Sequence, residues 1–232
     1  MKNQHPKRLP KILGWILFIS LIASILFSFV RFLVAPEIHT GEPYAKVKSD
    51  YLLMLIQCLL GLLVMLLPSF LDRKWKIVVP DTICILYYLF LYCAIFLGEV
   101  MMFYYLIPHW DTMLHAFSGA MLAALGFLLI DILNKDTHVK VSLSPFFLSL
   151  FAFCFALAAG AVWEIYEFGF DGLLKLNMQK FRDEAGAVML GRAALEDTMK
   201  DLIIDALSAL GISVLGYLVH TGRVKRQRKK ED

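Results

Sequence analysis

Nine acidic residues lie in or beside stretches of this sequence that are otherwise apolar. A charged side chain at the centre of a lipid bilayer costs about 2.5–3.5 kcal/mol on insertion scales, so acids at such positions usually serve a function. Carboxylates can act there as metal ligands, as proton carriers or as general acids and bases. The nine residues are Glu99, Asp111, Glu164, Glu167, Asp171, Glu196, Asp197, Asp201 and Asp205.

Most of these acids recur at helical spacing. Residues three, four, seven or eight positions apart share one face of an α-helix, so they form stripes. The stripes are Asp111 with His115; Glu164, Glu167 and Asp171; and Asp197, Asp201 and Asp205. Ser118 and Gly119 occupy the turn after His115. We expect the stripes to face one another around a polar cavity, because exposure of carboxylates to lipid would be costly.

Carboxylates together with one imidazole form an oxygen-rich ligand set. Such a set suits Mg²⁺, Mn²⁺ or Ca²⁺, and it suits Zn²⁺ if His115 coordinates beside two acids. Glu164 and Glu167 are also candidates for a general base, with no catalytic residue assigned. The candidate metal ligands are His115, Asp111, Glu164, Glu167, Asp197, Asp201 and Asp205, and the further polar candidates are Glu99, Asp171 and Ser118.

The same acids could also serve without a metal. Like charges held close together must be protonated, paired or metal-bound, and shared protons are what a proton pathway uses. Arg31, Lys200 and Arg192 could offset part of the charge, and a structural polar network between helices would need no ligand. For Asp111, Glu196 and Asp197, a charge at a helix N-terminus favoured by the macrodipole is the simplest alternative.

The elements that carry these residues are membrane-spanning helices. The chain has 232 residues, of which 59% are hydrophobic and 19% charged, and its mean hydropathy is +0.67. These values exclude an ordinary soluble domain and predict an all-α, polytopic transmembrane bundle forming a single domain over residues 1–232. The expected spans are about 12–30, 51–70, 82–106, 112–133, 145–170 and 198–219, followed by a basic cytoplasmic tail at 220–232.

The distribution of Lys and Arg predicts the orientation. Basic residues concentrate at the N-terminus, in the loops after the second and fourth spans, and in the tail, which places both termini in the cytoplasm. With this topology the acidic stripes lie in the outer half of the membrane. The small net charge of +3 gives no reason to expect nucleic-acid binding, and the four cysteines lie in apolar runs without metal-binding or disulfide spacing.

The same residues resemble a family pattern. The motifs are Gly98-Glu99, Ile107-Pro108-His109-Trp110-Asp111-Thr112 with Leu114-His115, Trp163-Glu164 with Glu167-Phe168, and Asp197-Thr198 with Lys200-Asp201. This combination is similar to the YjdF-like family of small bacterial inner-membrane proteins, over residues 98–216. The resemblance implies a multi-pass protein of the bacterial plasma membrane and assigns no activity.

Three functions therefore compete. The first is a cation-binding or proton-binding site, open to the outside, in small-solute or ion transport. The second is a metal-dependent enzyme acting on lipid or envelope material in the outer leaflet, where a metal ion would activate water. The third is a non-catalytic membrane protein whose acidic side chains form a polar network that packs the helices together. The expected partners are the lipid bilayer and, in a transporter, a second copy of the chain.

Single cysteines test the orientation in a parent that lacks the native cysteines. We expect His109→Cys and Gly186→Cys to react with a membrane-impermeant thiol reagent added to intact cells, because both positions lie in predicted outer loops. Thr137→Cys lies in a predicted cytoplasmic loop and should react only after the cells are opened. The opposite labelling pattern would show that the true orientation is the reverse of the predicted one.

Overall fold

The computed structural model describes residues 8–38, 41–42, 44–75, 79–133, 143–183 and 185–231. Across these ranges the protein is helical, and its only β-type pairing is an isolated bridge between Arg182 and Val188. The helices are α1 (Arg8–Val34), α2 (Lys48–Val64), α3 (Leu67–Trp75), α4 (Asp81–Leu91), α5 (Phe103–Leu106), α6 (Trp110–Leu133), α7 (Pro145–Leu174) and α8 (Arg192–Glu231).

Six helices are long and apolar enough to cross a membrane, which confirms the all-α class and the predicted number of spans. The second span combines α2 and α3, and the third combines α4 with the segment that follows it. The spans are Arg8–Val34, Lys48–Lys74, Asp81–Val100, Trp110–Asp131, Pro145–Leu174 and Arg192–Arg223.

The third span ends in a wide helical turn. Residues Tyr92–Val100 form a π-helix that continues α4, and the Met101 N–H donates a hydrogen bond to the Phe96 carbonyl at 2.9 Å. Met102 then adopts a left-handed conformation, with φ of 62°. A non-glycine residue in that conformation interrupts the helix. The span therefore ends at Val100, earlier than the boundary near residue 106 expected from hydropathy.

The chain forms two compact units, and the first comprises Met1–Trp110 with Phe170–Met189. Its core lies where α1 and α2 pack together, with Leu17, Leu21, Met54 and Cys58 each at most 1% exposed. Side chains fill the space beside Gly61, where a Cβ would lie 2.6 Å from the Ile95 Cδ1 and 3.2 Å from the Leu21 Cδ1. Small residues at such positions let transmembrane helices pack by van der Waals contact.

The second unit comprises Asp111–Gly169 and Leu190–Asp232, so it contains α6, most of α7 and α8. Its centre is lined by alanine. Ala123 of α6, Ala156 of α7 and Ala209 of α8 are all 0% exposed and form one cluster. Because these side chains are short, three helix backbones come close together, and residues one or two turns away are brought near one another as well.

A glycine extends this seam between α6 and α7. A Cβ at Gly126 would lie 2.8 Å from the Cα and 3.2 Å from the Cβ of Ala152. The nearest atom belongs to backbone, so it could not rotate away and the two helices would have to separate.

Alanine substitutions test this contact. We expect Gly126→Ala to lower the free energy of unfolding by about 1–3 kcal/mol, the usual range for an overpacked site. Gly211→Ala in α8 is the matched control, because among the described residues no atom lies within 4 Å of its Cβ position. That control should be neutral or slightly stabilising, since alanine favours helix. Both free energies can be measured by reversible unfolding in detergent. If the two variants changed the free energy of unfolding equally, the tight contact would be refuted.

Candidate functional site

Two helices of the second unit place three aspartates around His115. Asp111 and His115 occupy successive turns of α6, and Asp201 and Asp205 occupy successive turns of α8. The His115 Nδ1 lies 3.3 Å from the Asp205 Oδ2. The His115 Nε2 lies 3.7 Å from the Asp201 Oδ2 and 3.8 Å from the Asp111 Oδ1. The i, i+4 spacing in each helix therefore produces one cluster, which we call the His115 cluster.

The two ring nitrogens of His115 have different surroundings. Asp205 contacts Nδ1 at hydrogen-bonding distance. In the tautomer with its proton on Nδ1, this contact fixes the ring and directs the Nε2 lone pair towards the other two carboxylates. Metal-binding histidines commonly have this arrangement, in which a carboxylate orients the imidazole through the nitrogen that does not bind the metal.

Ligand atoms of Asp111, His115 and Asp201 all lie within 4.8 Å of one another. That separation is close enough for a single ion to contact all three groups. Among the residues that the structure describes, Asp111, His115 and Asp201 are the group whose ligand atoms lie this close together. Asp205 contacts the opposite side of the ring and stands outside the set.

The His115 cluster is largely enclosed by protein. Asp201 is 4% exposed and Asp205 is 2% exposed. The Asp205 Oδ1 is buried and has no hydrogen-bond partner in the part of the chain that the structure describes. A buried carboxylate loses several kcal/mol of hydration, by an order-of-magnitude estimate, and the contact of the other oxygen with His115 offsets part of this cost.

Two glycines make room for Asp205. A Cβ at Gly119 of α6 would lie 2.9 Å from the Asp205 carbonyl oxygen, and one at Gly160 of α7 would lie 3.1 Å from the Asp205 Cγ. Sequence reasoning noted Gly119 but missed Gly160. The available signal was the run of small residues at positions 158–161, which is typical of close helix packing.

The remaining candidates in the second unit differ in burial. Glu164 lies on α7 one turn beyond Gly160 and is 5% exposed, whereas Glu167 and Asp197 are half-buried. These three acids stand outside the set with ligand spacing around His115. The Ser118 hydroxyl donates to the His115 carbonyl at 3.0 Å, which is a local helix contact.

The cations expected to offset the acidic charge have other partners. The Lys200 Nζ lies 2.8 Å from the Glu196 Oε1, and both side chains are exposed. The Arg31 Nε donates to the Tyr51 hydroxyl at 3.1 Å, within the first unit. The groups that contact the His115 ring are the carboxylates of Asp111, Asp201 and Asp205, and a protonated imidazole would offset part of their charge.

Two predicted polar residues belong to the first unit. The Asp171 carboxylate accepts hydrogen bonds from the backbone N–H groups of Met178 at 2.8 Å and Gln179 at 3.0 Å. The backbone carbonyl of Glu99 accepts a hydrogen bond from the Lys46 Nζ at 3.2 Å. Asp171 therefore holds the loop that follows α7, a structural role that its place in an acidic stripe did not indicate.

The fold and the His115 cluster define a class: a polytopic helical membrane protein with a buried Asp–His cluster in its spans. The chain belongs to the DUF2238 family of predicted membrane proteins, whose pattern it matches over residues 13–222. It is 30% identical over 128 residues to an uncharacterized protein of Thermotoga maritima, covering 55% of this chain and 57% of that protein. No solved structure matches the chain.

Removing the Asp171 carboxylate tests its role. We expect Asp171→Ala to destabilise the protein by about 1–3 kcal/mol, because two backbone N–H groups lose their acceptor. Limited proteolysis should show faster cleavage between residues 175 and 189. Asp131→Ala, at an exposed position of α6, is the control and should leave both measurements unchanged. Unaltered cleavage in Asp171→Ala would show that the carboxylate does not hold the loop.

Proposed function

We propose that the His115 cluster binds one divalent transition-metal ion within the membrane-spanning helices. The ligands would be the Nε2 of His115 with one carboxylate oxygen each from Asp111 and Asp201. The supporting observation is the spacing of these atoms, all within 4.8 Å of one another. Asp205 would orient the imidazole from the Nδ1 side, at 3.3 Å.

The ligand chemistry favours Zn²⁺ or Mn²⁺. Mg²⁺ and Ca²⁺ prefer ligand sets made of oxygen alone, whereas imidazole nitrogen raises the affinity for transition metals. Three protein ligands leave at least one coordination position for water or a substrate, as in catalytic zinc sites. A bound ion would also neutralise Asp111 and Asp201, whose burial is otherwise costly.

A coordination position left for another ligand is compatible with two activities. An ion that exchanges between ligands would serve transport, and an ion that activates water would serve hydrolysis. In the second case Glu164, buried in the same unit, is the candidate general base. We favour ion binding as the function common to both, in a multi-pass protein of the bacterial plasma membrane with both termini in the cytoplasm.

A second candidate is a proton-binding site without metal. One imidazole surrounded by three carboxylates is stabilised in its protonated form, because opposite charges close by favour the charged state. The imidazolium would then donate from both nitrogens, and proton exchange would replace metal exchange. This candidate requires His115 to be charged at neutral pH, whereas a metal ligand must be neutral at Nε2.

Metal analysis of the purified protein separates the two candidates. After dialysis against Zn²⁺ or Mn²⁺ and removal of free metal, we expect about one bound equivalent per chain. His115→Ala and Asp201→Asn should lose this ion. Asp205→Asn should weaken binding by about 10–100-fold, the usual effect of removing a carboxylate that orients a ligand.

Asp131→Asn supplies the control, since it removes an exposed acid from the same helix, α6. It should bind the ion as the wild type does. The metal site would be rejected if the wild-type protein bound no transition metal. Protonated His115 at neutral pH in the same protein would favour the proton site. Loss of the ion in Asp131→Asn as well would indicate nonspecific binding to surface acids.

A further inference from the structure

The first unit contains a second polar site, a cavity of about 50 Å³. It lies among the segment before and at the start of α2, the end of the third span with α5, and the loop after α7. Three acidic and three basic side chains line it, so its formal charge is balanced. They are Lys46, Asp50, Glu99, Lys175, Arg182 and Asp183.

Two of the acids are used by the local backbone. The Asp50 Oδ2 accepts a hydrogen bond from the Val47 N–H at 2.8 Å, at the beginning of α2. The Asp183 Oδ1 accepts from the N–H groups of Ala185 at 3.0 Å and Ala187 at 2.8 Å. These carboxylates thus help to fix the backbone of the cavity wall.

The other acid and one cation differ from these. Lys46 donates to the backbone carbonyl of Glu99, and Lys46 and Lys180 both attract the Glu99 carboxylate electrostatically. The Arg182 Nε is buried and has no hydrogen-bond partner in the part of the chain described by the structure. One cavity therefore presents a carboxylate beside cations and a buried guanidinium nitrogen that has no hydrogen-bond acceptor among the described residues. Buried polar groups usually have partners, so this nitrogen points to a ligand that carries an acceptor.

The backbone around the cavity is held in place without a ligand. The Arg182 N–H donates to the Asn177 Oδ1 at 2.9 Å, and the Asn177 Nδ2 donates to the Arg182 carbonyl at 3.2 Å. Tyr44, Met102 and Lys175, which line the cavity, have φ values of 62°, 62° and 57°. Such strained residues cluster at binding sites, where a fixed backbone reduces the entropy lost on binding.

We propose that this cavity binds a small zwitterion, a molecule with one carboxylate and one ammonium group, of the size of glycine or alanine. The ligand carboxylate would accept from the guanidinium of Arg182, whose planar geometry matches it. The ammonium group would donate to Glu99. Ser49, Lys175, Arg182 and Gly186 also line a neighbouring open groove, which provides access. The proposal does not depend on metal binding at the His115 cluster.

Calorimetric titration of the full-length protein in detergent, with glycine and with L-alanine, tests the proposal. We expect saturable binding, and a loss of roughly tenfold or more in affinity for Glu99→Gln and for Arg182→Gln, as for other charge-assisted hydrogen bonds. Acetate and methylamine, each carrying half of the ligand's charge pattern, should bind at least tenfold more weakly than glycine. Glu196→Gln and Arg192→Gln repeat the same substitutions at exposed positions of α8 and should bind as the wild type does.

Three results would overturn the proposal. Absence of binding by glycine and alanine to folded wild-type protein excludes a zwitterion of this size. If acetate bound as tightly as glycine, and Glu99→Gln left that affinity unchanged, the cavity would be a simple anion site. Equal losses in the control variants would show that charge at the surface controls binding. Size-exclusion profiles and thermal unfolding of each variant establish that it is folded, and Arg182→Lys provides a variant that keeps the positive charge.

Discussion

A carboxylate carried into a membrane-spanning helix must be compensated inside the protein, and the contact between His115 and Asp205 meets that requirement. Water is absent from the hydrocarbon region, and a buried ion costs several kcal/mol as an order of magnitude even after relaxation. Asp205 is almost fully enclosed, and one of its oxygens faces the imidazole at 3.3 Å. This pairing requires α6 and α8 to come close together, and α7 packs against the same aspartate through Gly160.

That close approach accounts for the small residues of the second unit. Gly119 and Gly160 leave the space that the Asp205 backbone and side chain occupy. Ala123, Ala156 and Ala209 keep the same three helices close together beyond the cluster. The polar cluster and the apolar seam are therefore two parts of one packing arrangement. In the first unit, by contrast, the polar cavity is built largely by loops, whose side chains hydrogen-bond to their own backbone.

The fold class and the two same-helix pairs of the His115 cluster could be predicted from the sequence for simple physical reasons. Hydropathy identifies spans because every backbone polar group in lipid must be satisfied within a helix. The four-residue spacing fixes which residues of one helix share a face, so Asp111 with His115 was predictable, as was Asp201 with Asp205. Spacing does not determine which faces of different helices meet, so the place of the α7 stripe relative to the cluster could not be predicted. The contacts of Asp171 with the N–H groups of Met178 and Gln179 could not be predicted either, because these groups lie in a loop, which has no periodicity.

The last helix joins two environments that lie far apart. Between Asp205 and Arg223, α8 rises by about 27 Å at 1.5 Å per residue, close to the thickness of the hydrocarbon core. Residues Arg192–Glu231 form one uninterrupted helix. One continuous helix therefore carries both a buried aspartate of the His115 cluster and the basic residues of the C-terminal sequence. Any tilt of its buried part would also displace that basic end, because no break in the helix separates the two.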